Sequence, residues 1–264
     1  MSRNDKKKAL ITGITGQDGA YLANFLLNNN YEVTGGERYK ANSNLWRLKK
    51  LGIEKKVKII PFELLDESNI LKQIKKGKYN EIYNLAAQSF VDKSFSSPVY
   101  TADVNALGVI RILEALRQFS KHTKFYQASS SEMYGNVNTL FQDEKTNFNP
   151  ISPYAISKLH AHWIIKLYRD AYNLFCCSGI LFNHESPLRG EEFVTKKIVR
   201  ELVKIKLKKI RCMYLGNIYA KRDWGYSVDY VEAMWKMLQK KKGDDYVISS
   251  GVNYNVKQFI NKVT

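Results

Sequence analysis

Tyr154 and Lys158 stand four residues apart in Ser152-Pro153-Tyr154-Ala155-Ile156-Ser157-Lys158. On a helix, side chains at that spacing lie one above the other on one face. An ammonium held beside a phenol favours the phenolate, so the pair predicts a base usable near neutral pH. Two dozen residues upstream, Ser129-Ser130-Ser131-Glu132 closes a strand-like run. Ser130 could hold a substrate oxygen there, and Glu132 could shuttle a proton. A chain with 17 tyrosines and many lysines produces some Tyr-x-x-x-Lys pairs by chance, so the pair needs a second signal.

The glycines supply it. Gly13, Gly16 and Gly19 lie between a first strand, 8–12, and a helical pattern over 20–27. At a strand-to-helix junction, glycines let the backbone turn tightly and approach a pyrophosphate resting on the helix N-terminus. A phosphate cradle combined with a tyrosine base points to a nicotinamide cofactor and to proton and hydride chemistry on an alcohol. Past the second strand, Glu37 suits a free ribose hydroxyl and Arg38 suits a 2′-phosphate. These two residues leave NAD and NADP both open.

Further strands are expected at 31–35, 57–62, 81–87, 124–128 and 174–182, with a late one at 246–249 that could rejoin the sheet. Helical patterns fall at 68–75, 99–119 and 153–172. Strand alternating with helix over more than 180 residues is the pattern of an α/β, doubly wound parallel sheet of Rossmann type. Ligands in such sheets bind at the carboxyl ends of the strands. That rule places Leu85, Ala86, Ala87, Gln88 and Ser89 at the site, together with Ser130 and Glu132 and with Asn183, His184 and Arg189. Read blandly, Ser89 and Ser130 are helix caps and His184 is a loop histidine.

We expect residues 1–182 to form the cofactor domain, with 219–251 rejoining it. Segments 183–218 and 252–264 are expected to form a small, incomplete substrate lobe, because the chain stops inside an amphipathic helical pattern. The net charge of +17 comes mostly from scattered lysines and reads as a solvated surface rather than a nucleic-acid face. No apolar run reaches the ~20 residues needed to span a bilayer. With no leader pattern at the N-terminus, a cytoplasmic protein with no membrane partner is expected. Cys176, Cys177 and Cys212 show no metal-ligand or disulfide spacing and read as free thiols.

The residues resemble the extended short-chain dehydrogenase/reductase superfamily, and within it the GDP-mannose 4,6-dehydratases. The matching segments are 9–19, 83–89, 125–132, 152–155, 179–187 and 222–225. Gly-Gln-Asp-Gly, with Gln17 and Asp18, and Leu-Phe-Asn-His-Glu-Ser-Pro are the pieces particular to that family. The resemblance implies GDP-mannose as substrate and a tightly held NADP, with Tyr154 as base and Ser130 on the 4-oxygen. It also implies Glu132 as the acid/base at C5 and Lys158 as the residue tuning Tyr154 and holding the ribose. By the same resemblance, the cofactor site includes Gly13, Gly16, Gln17, Asp18, Gly19, Arg38, Glu63, Leu64, Leu85–Ser89, Tyr100, Lys158, His184 and Arg189. Ser89, Glu132, Asn183, Lys197 and Arg222 would meet the GDP-sugar, and a homodimer or homotetramer is implied. Serine replaces the family's usual threonine at 130, Tyr39 replaces a second arginine, and Glu63 replaces an aspartate. Another sugar-nucleotide epimerase or reductase, or a non-catalytic nucleotide-binding relic, are the alternatives.

Overall fold

The computed structural model describes residues 6–137 and 139–264. Its first half runs β1 (Lys8–Thr12), α1 (Gln17–Asn28), β2 (Glu32–Glu37), α2 (Trp46–Lys50), β3 (Lys58–Pro61), α3 (Glu67–Gly77) and β4 (Glu81–Asn84). Then come α4 (Val91–Ser96), α5 (Pro98–Ala102), α6 (Gly108–Phe119), β5 (Lys124–Ser130), α7 (Pro153–Tyr172) and β6 (Cys176–Leu181). The remainder is β7 (Asn183–Glu185), α8 (Val194–Lys206), β8 (Lys221–Tyr226), α9 (Ser227–Leu238), β9 (Asp245–Ile248), β10 (Asn253–Asn255) and α10 (Val256–Val263).

The main sheet has the order β3-β2-β1-β4-β5-β6-β9 and is parallel throughout. Its order reverses between β1 and β4, which opens a crevice at the carboxyl ends of those strands. Helices cover both faces. Leu22 and Leu26 of α1 and Val231 and Met234 of α9 pack on one side, and Ile70, Ile112 and Ile165 of α3, α6 and α7 on the other. This is the doubly wound α/β fold that the alternation of patterns predicts. A second, three-stranded sheet (β10-β8-β7) lies beyond the end of β6. Among the described residues no helix is long and apolar enough to cross a membrane.

Local chemistry explains the elements that carry the site. Helix α7 begins where Ser152 Oγ accepts the Ala155 N–H at 3.1 Å and Pro153 occupies the first turn. It stops at Asn173, whose left-handed φ of 54° cannot continue a helix. Strand β4 ends at Asn84, three residues earlier than expected. The next two amides, of Leu85 and Ala86, leave the ladder to donate to Thr12 Oγ1, each at 3.1 Å. The expected single helix over 99–119 is broken into α5, a π-helical turn over Asp103–Leu107, and α6. The widened turn holds Asn105, whose side-chain amide pairs with both the N–H and the C=O of Gln88 at 2.8 and 3.0 Å.

Candidate functional site

Gly13, with a φ of +69°, turns the chain out of β1. A side chain there would meet the Ala86 nitrogen at 2.8 Å, so only glycine allows the loop to close against the end of β4. Gly16 then serves as the N-cap of α1 and offers no side-chain cap. The first amides of the helix therefore stay available to an anion. Gly19 also has a packing role: a Cβ there would lie 2.4 Å from the Gly13 oxygen, so its lack of a side chain lets α1 seat on the loop.

Two cavities open at this edge of the sheet. One of about 610 Å³ runs over the glycine loop and is lined by Gly13, Gly16, Arg38, Glu63, Leu64, Leu85–Ser89 and Tyr100. The other, of about 410 Å³, is lined by Asp18, Ser89, Ser130, Glu132, Tyr154, Lys158, Asn183, His184, Arg189 and Arg222. Leu85, Ala87, Ser89, Phe90, Glu192 and Phe193 border both, so the cavities share a wall. Most of the residues singled out in the sequence converge on this pair of cavities.

Three do not. Gln17 is buried at the root of α1, where its side chain accepts from Ser186 Oγ at 2.7 Å and donates to the His184 carbonyl at 3.2 Å. It ties the helix to the segment after β7 instead of reaching the cavity. Gly19 is packed against the loop and lines neither cavity. Lys197, expected at the sugar nucleotide, lies on α8 and gives its ammonium to the Tyr214 carbonyl at 2.8 Å, and it lines neither cavity.

The catalytic cluster departs from expectation in one respect. Lys158 donates to the Ala128 carbonyl at 2.8 Å, and its nitrogen stands 5.8 Å from the centre of the Tyr154 ring. Burial pushes the Tyr154 phenol up to about 12, with the Glu132 charge adding to the rise while Ser130 and Arg189 oppose it. Burial likewise brings Lys158 down to about 8. Both shifts disfavour the expected phenolate, which a further positive charge in the cavity would favour.

Asp18 and His184 form a part-buried pair at the cavity wall, with Nε2 2.7 Å from the carboxylate and Nδ1 2.8 Å from the Phe182 carbonyl. The ring stacks on Tyr230 at 4.3 Å. At the other end, Arg38 reaches toward the Tyr100 hydroxyl at 3.4 Å. Glu37 is engaged by Lys40 and Ser43, whose hydrogen bonds hold its carboxyl below the usual range despite burial. Glu37, the rival candidate for a ribose hydroxyl, also lines the larger cavity.

Sequence reasoning missed several residues. Arg47 donates to the carbonyls of Thr15 at 2.8 Å and Leu188 at 2.7 Å, clamping the glycine loop to the segment after β7. Lys40 adds a second cation beside Arg38 in the larger cavity, and Phe193 carries the Arg189 guanidinium 3.5 Å above its ring. Lys40, two residues past Arg38, offered a weak signal; Arg47 and Phe193 offered none.

Comparison with known proteins places the chain among relatives. The family profile described as GDP-mannose 4,6 dehydratase matches residues 10–264. A GDP-mannose 4,6-dehydratase of Vibrio cholerae is 51% identical over 262 residues, covering 97% of this chain and 70% of its own length. The GDP-mannose 4,6 dehydratases of Homo sapiens and Drosophila melanogaster are each 50% identical over 262 residues, or 96% of this chain. They are covered over 70% and 66% of their lengths. Among solved structures, a UDP-glucose 4-epimerase of Thermotoga maritima superposes with a TM-score of 0.86 at 23% identity, covering 97% of this chain and 81% of that one. A dTDP-glucose 4,6-dehydratase of Bacillus anthracis gives 0.84 at 23%, with 97% and 80% covered. At that identity the structures speak for the fold. The sequence relatives speak for more, and with them the family profile: this chain belongs to the GDP-mannose 4,6-dehydratase family.

Proposed function

We propose that the chain converts GDP-mannose to GDP-4-keto-6-deoxymannose by a redox-neutral dehydration that uses NADP. The observation that carries the reading is the convergence of Ser130, Glu132 and Tyr154 on one cavity wall, beside a glycine cradle, in a chain of this family. The residues present suit a dinucleotide. The uncapped α1 N-terminus and Gly13 would receive the pyrophosphate, Arg38 and Lys40 a 2′-phosphate, and Lys158 and Tyr154 the nicotinamide ribose. Arg38 in the cavity, with no carboxylate paired to it among the described residues, supports NADP. When bound, a nicotinamide would supply the two-electron chemistry, a hydride exchange between C4 and C6 of the sugar.

The chain's own groups handle the protons. Tyr154 takes the proton of the 4-hydroxyl, and Ser130 Oγ hydrogen-bonds the same oxygen. The 4-ketone acidifies the hydrogen at C5; Glu132 takes that proton and passes it to the 6-hydroxyl, which leaves as water. Glu132 then returns a proton to C5, the net proton being the one Tyr154 took from the 4-hydroxyl. An oxidised nicotinamide carries positive charge, the kind of charge that favours the Tyr154 phenolate. Ser89, Asn183 and Arg222 border the cavity where the sugar nucleotide would lie, with Arg222 able to meet a phosphate.

A homodimer or homotetramer belongs to the same reading. Helices α4 and α5 pack beside α7, and Phe95, Val99, Ile156, Trp163 and Leu167 present an exposed apolar face there. Mixing the purified chain with GDP-mannose and a trace of NADP, then weighing the product by mass spectrometry, tests the activity. Loss of one water without net formation of NADPH supports it. An unchanged sugar nucleotide, with cofactor bound, overturns it for the chain as it stands.

A further inference from the structure

Behind the catalytic wall lies a polar chain that the mechanism above does not use. Ser129 Oγ is 2.7 Å from Ser178 Oγ, and Ser178 Oγ is 3.1 Å from Nδ1 of His162. His162 Nε2 faces Asp245 at 3.9 Å, and Arg169 Nη2 donates to that carboxylate at 2.6 Å. The chain therefore crosses from β5 to β6, to α7 and to β9. Ser129, Ser178 and His162 are all buried.

The direction of the hydrogen bonds follows from what faces the imidazole. Asp245 from β9 and Ser178 from β6 approach its two nitrogens, while Arg169 and Lys166 on its own helix are the cations nearby. Burial lowers the proton affinity of His162. A neutral ring facing a carboxylate carries its proton on Nε2, leaving Nδ1 to accept from Ser178. Ser178 then accepts from Ser129, so every hydroxyl in the chain has one assigned role.

We infer that His162 is a positioning residue, which through Ser178 and Ser129 sets the end of β5 against α7 so that Ser130 and Tyr154 face one cavity. Alternation along a strand provides the lever. Phe125 packs on the α7 side and Tyr126 on the opposite side, so alternation sends the Ser129 and Ser130 side chains to opposite faces at the strand end, where both residues border the cavity. The residue on the other flank, Ala128, gives its carbonyl to Lys158. One hydrogen-bonded anchor thus governs two placements in the catalytic cluster. A displacement of about an ångström at reacting groups costs up to ~100-fold in rate.

The inference rests on the dehydratase reading, and its test separates the two. His162→Phe keeps the ring volume beside Phe148 and Trp163 but removes the acceptor. His162→Asn restores an acceptor oxygen near the place of Nδ1, and Ser178→Ala cuts the chain at a second point. Turnover of GDP-mannose should fall at least about tenfold in His162→Phe and Ser178→Ala, with KM within twofold, and recover largely in His162→Asn. In parallel, the Tyr154 phenol is titrated by NMR of isotope-labelled tyrosine, assigned through Tyr154→Phe. Its apparent pKa should move in the same two variants and return in His162→Asn. Because the titration needs no turnover, it tests the positioning role even if the parent chain proves inactive on GDP-mannose. An unmoved Tyr154 titration in both broken variants overturns the inference, as does a turnover loss that His162→Asn shares.

Discussion

His184 meets Asp18 at 2.7 Å across 166 residues of sequence, and both of its ring nitrogens face acceptors. A neutral imidazole has one N–H and would leave one of those contacts repulsive, so the geometry favours the imidazolium. Burial alone would lower its affinity for the proton, but the Asp18 carboxylate outweighs burial and raises it. Asp18 is in turn held below its ordinary value, burial being outweighed by the His184 charge. A carboxylate at the mouth of α1 would repel a pyrophosphate. Paired with an imidazolium, it does not.

The pair predicts a pH window. The contribution of His184 is fully present below the unfolded histidine value of ~6.5 and is lost as pH rises through its raised folded value. The contribution of Asp18 is present above the unfolded value of ~3.9 and is lost as pH falls through its depressed folded value. The Tm difference between the parent and His184→Gln should therefore be largest from about pH 4 to about 6.5 and shrink above neutrality. Thermal melts of both proteins across that range check this, and a difference independent of pH contradicts it.

Tyr154→Phe and Glu132→Gln should fail in different ways. Each should cost ~100- to 10,000-fold in turnover while leaving cofactor binding and Tm near the parent values. In heavy water the parent's product should carry deuterium at C5, introduced by Glu132. Substrate recovered from Tyr154→Phe should carry none, because C5 becomes acidic only after C4 is oxidised. Mass spectrometry of product and recovered substrate distinguishes these outcomes.

Arg38→Ala should discriminate between cofactors. Arg38 and Lys40 line the larger cavity, and hydrogen bonds to charged groups are worth ~1.5–3 kcal/mol. The Kd for NADP should rise by about tenfold or more, with the Kd for NAD nearly unchanged. Titration calorimetry with each dinucleotide measures both. Equal weakening of the two would place Arg38 elsewhere than at a 2′-phosphate.

Arg47→Met should loosen the glycine loop without touching the catalytic residues. Two backbone carbonyls, of Thr15 and Leu188, lose their charged donor, which costs ~1–3 kcal/mol. The expected signature is a lower denaturation midpoint together with weaker NADP binding. Turnover at saturating cofactor should stay within a fewfold of the parent.

Those elements of the protein that depend on neighbours in the chain are legible in the sequence by itself. The limits of α7, 153–172, follow from the serine and proline at its start and its apolar spacing. The glycine turn, the parallel sheet and the carboxyl-edge cluster of Ser130, Glu132 and Tyr154 follow from patterns within a few dozen residues. Tertiary structure alone decided how the polar side chains are used. Gln17 and Lys197 have the chemistry of ligand-binding groups, yet carbonyls and hydroxyls from distant segments claim them. Lys158 sits four residues from Tyr154 but donates to a strand carbonyl 30 residues upstream. The physical reason is common to these cases. Backbone propensity and apolar periodicity act locally and leave a trace in sequence order. A buried polar group instead binds whichever partner folding brings within about 3 Å, and that partner has no necessary place along the chain.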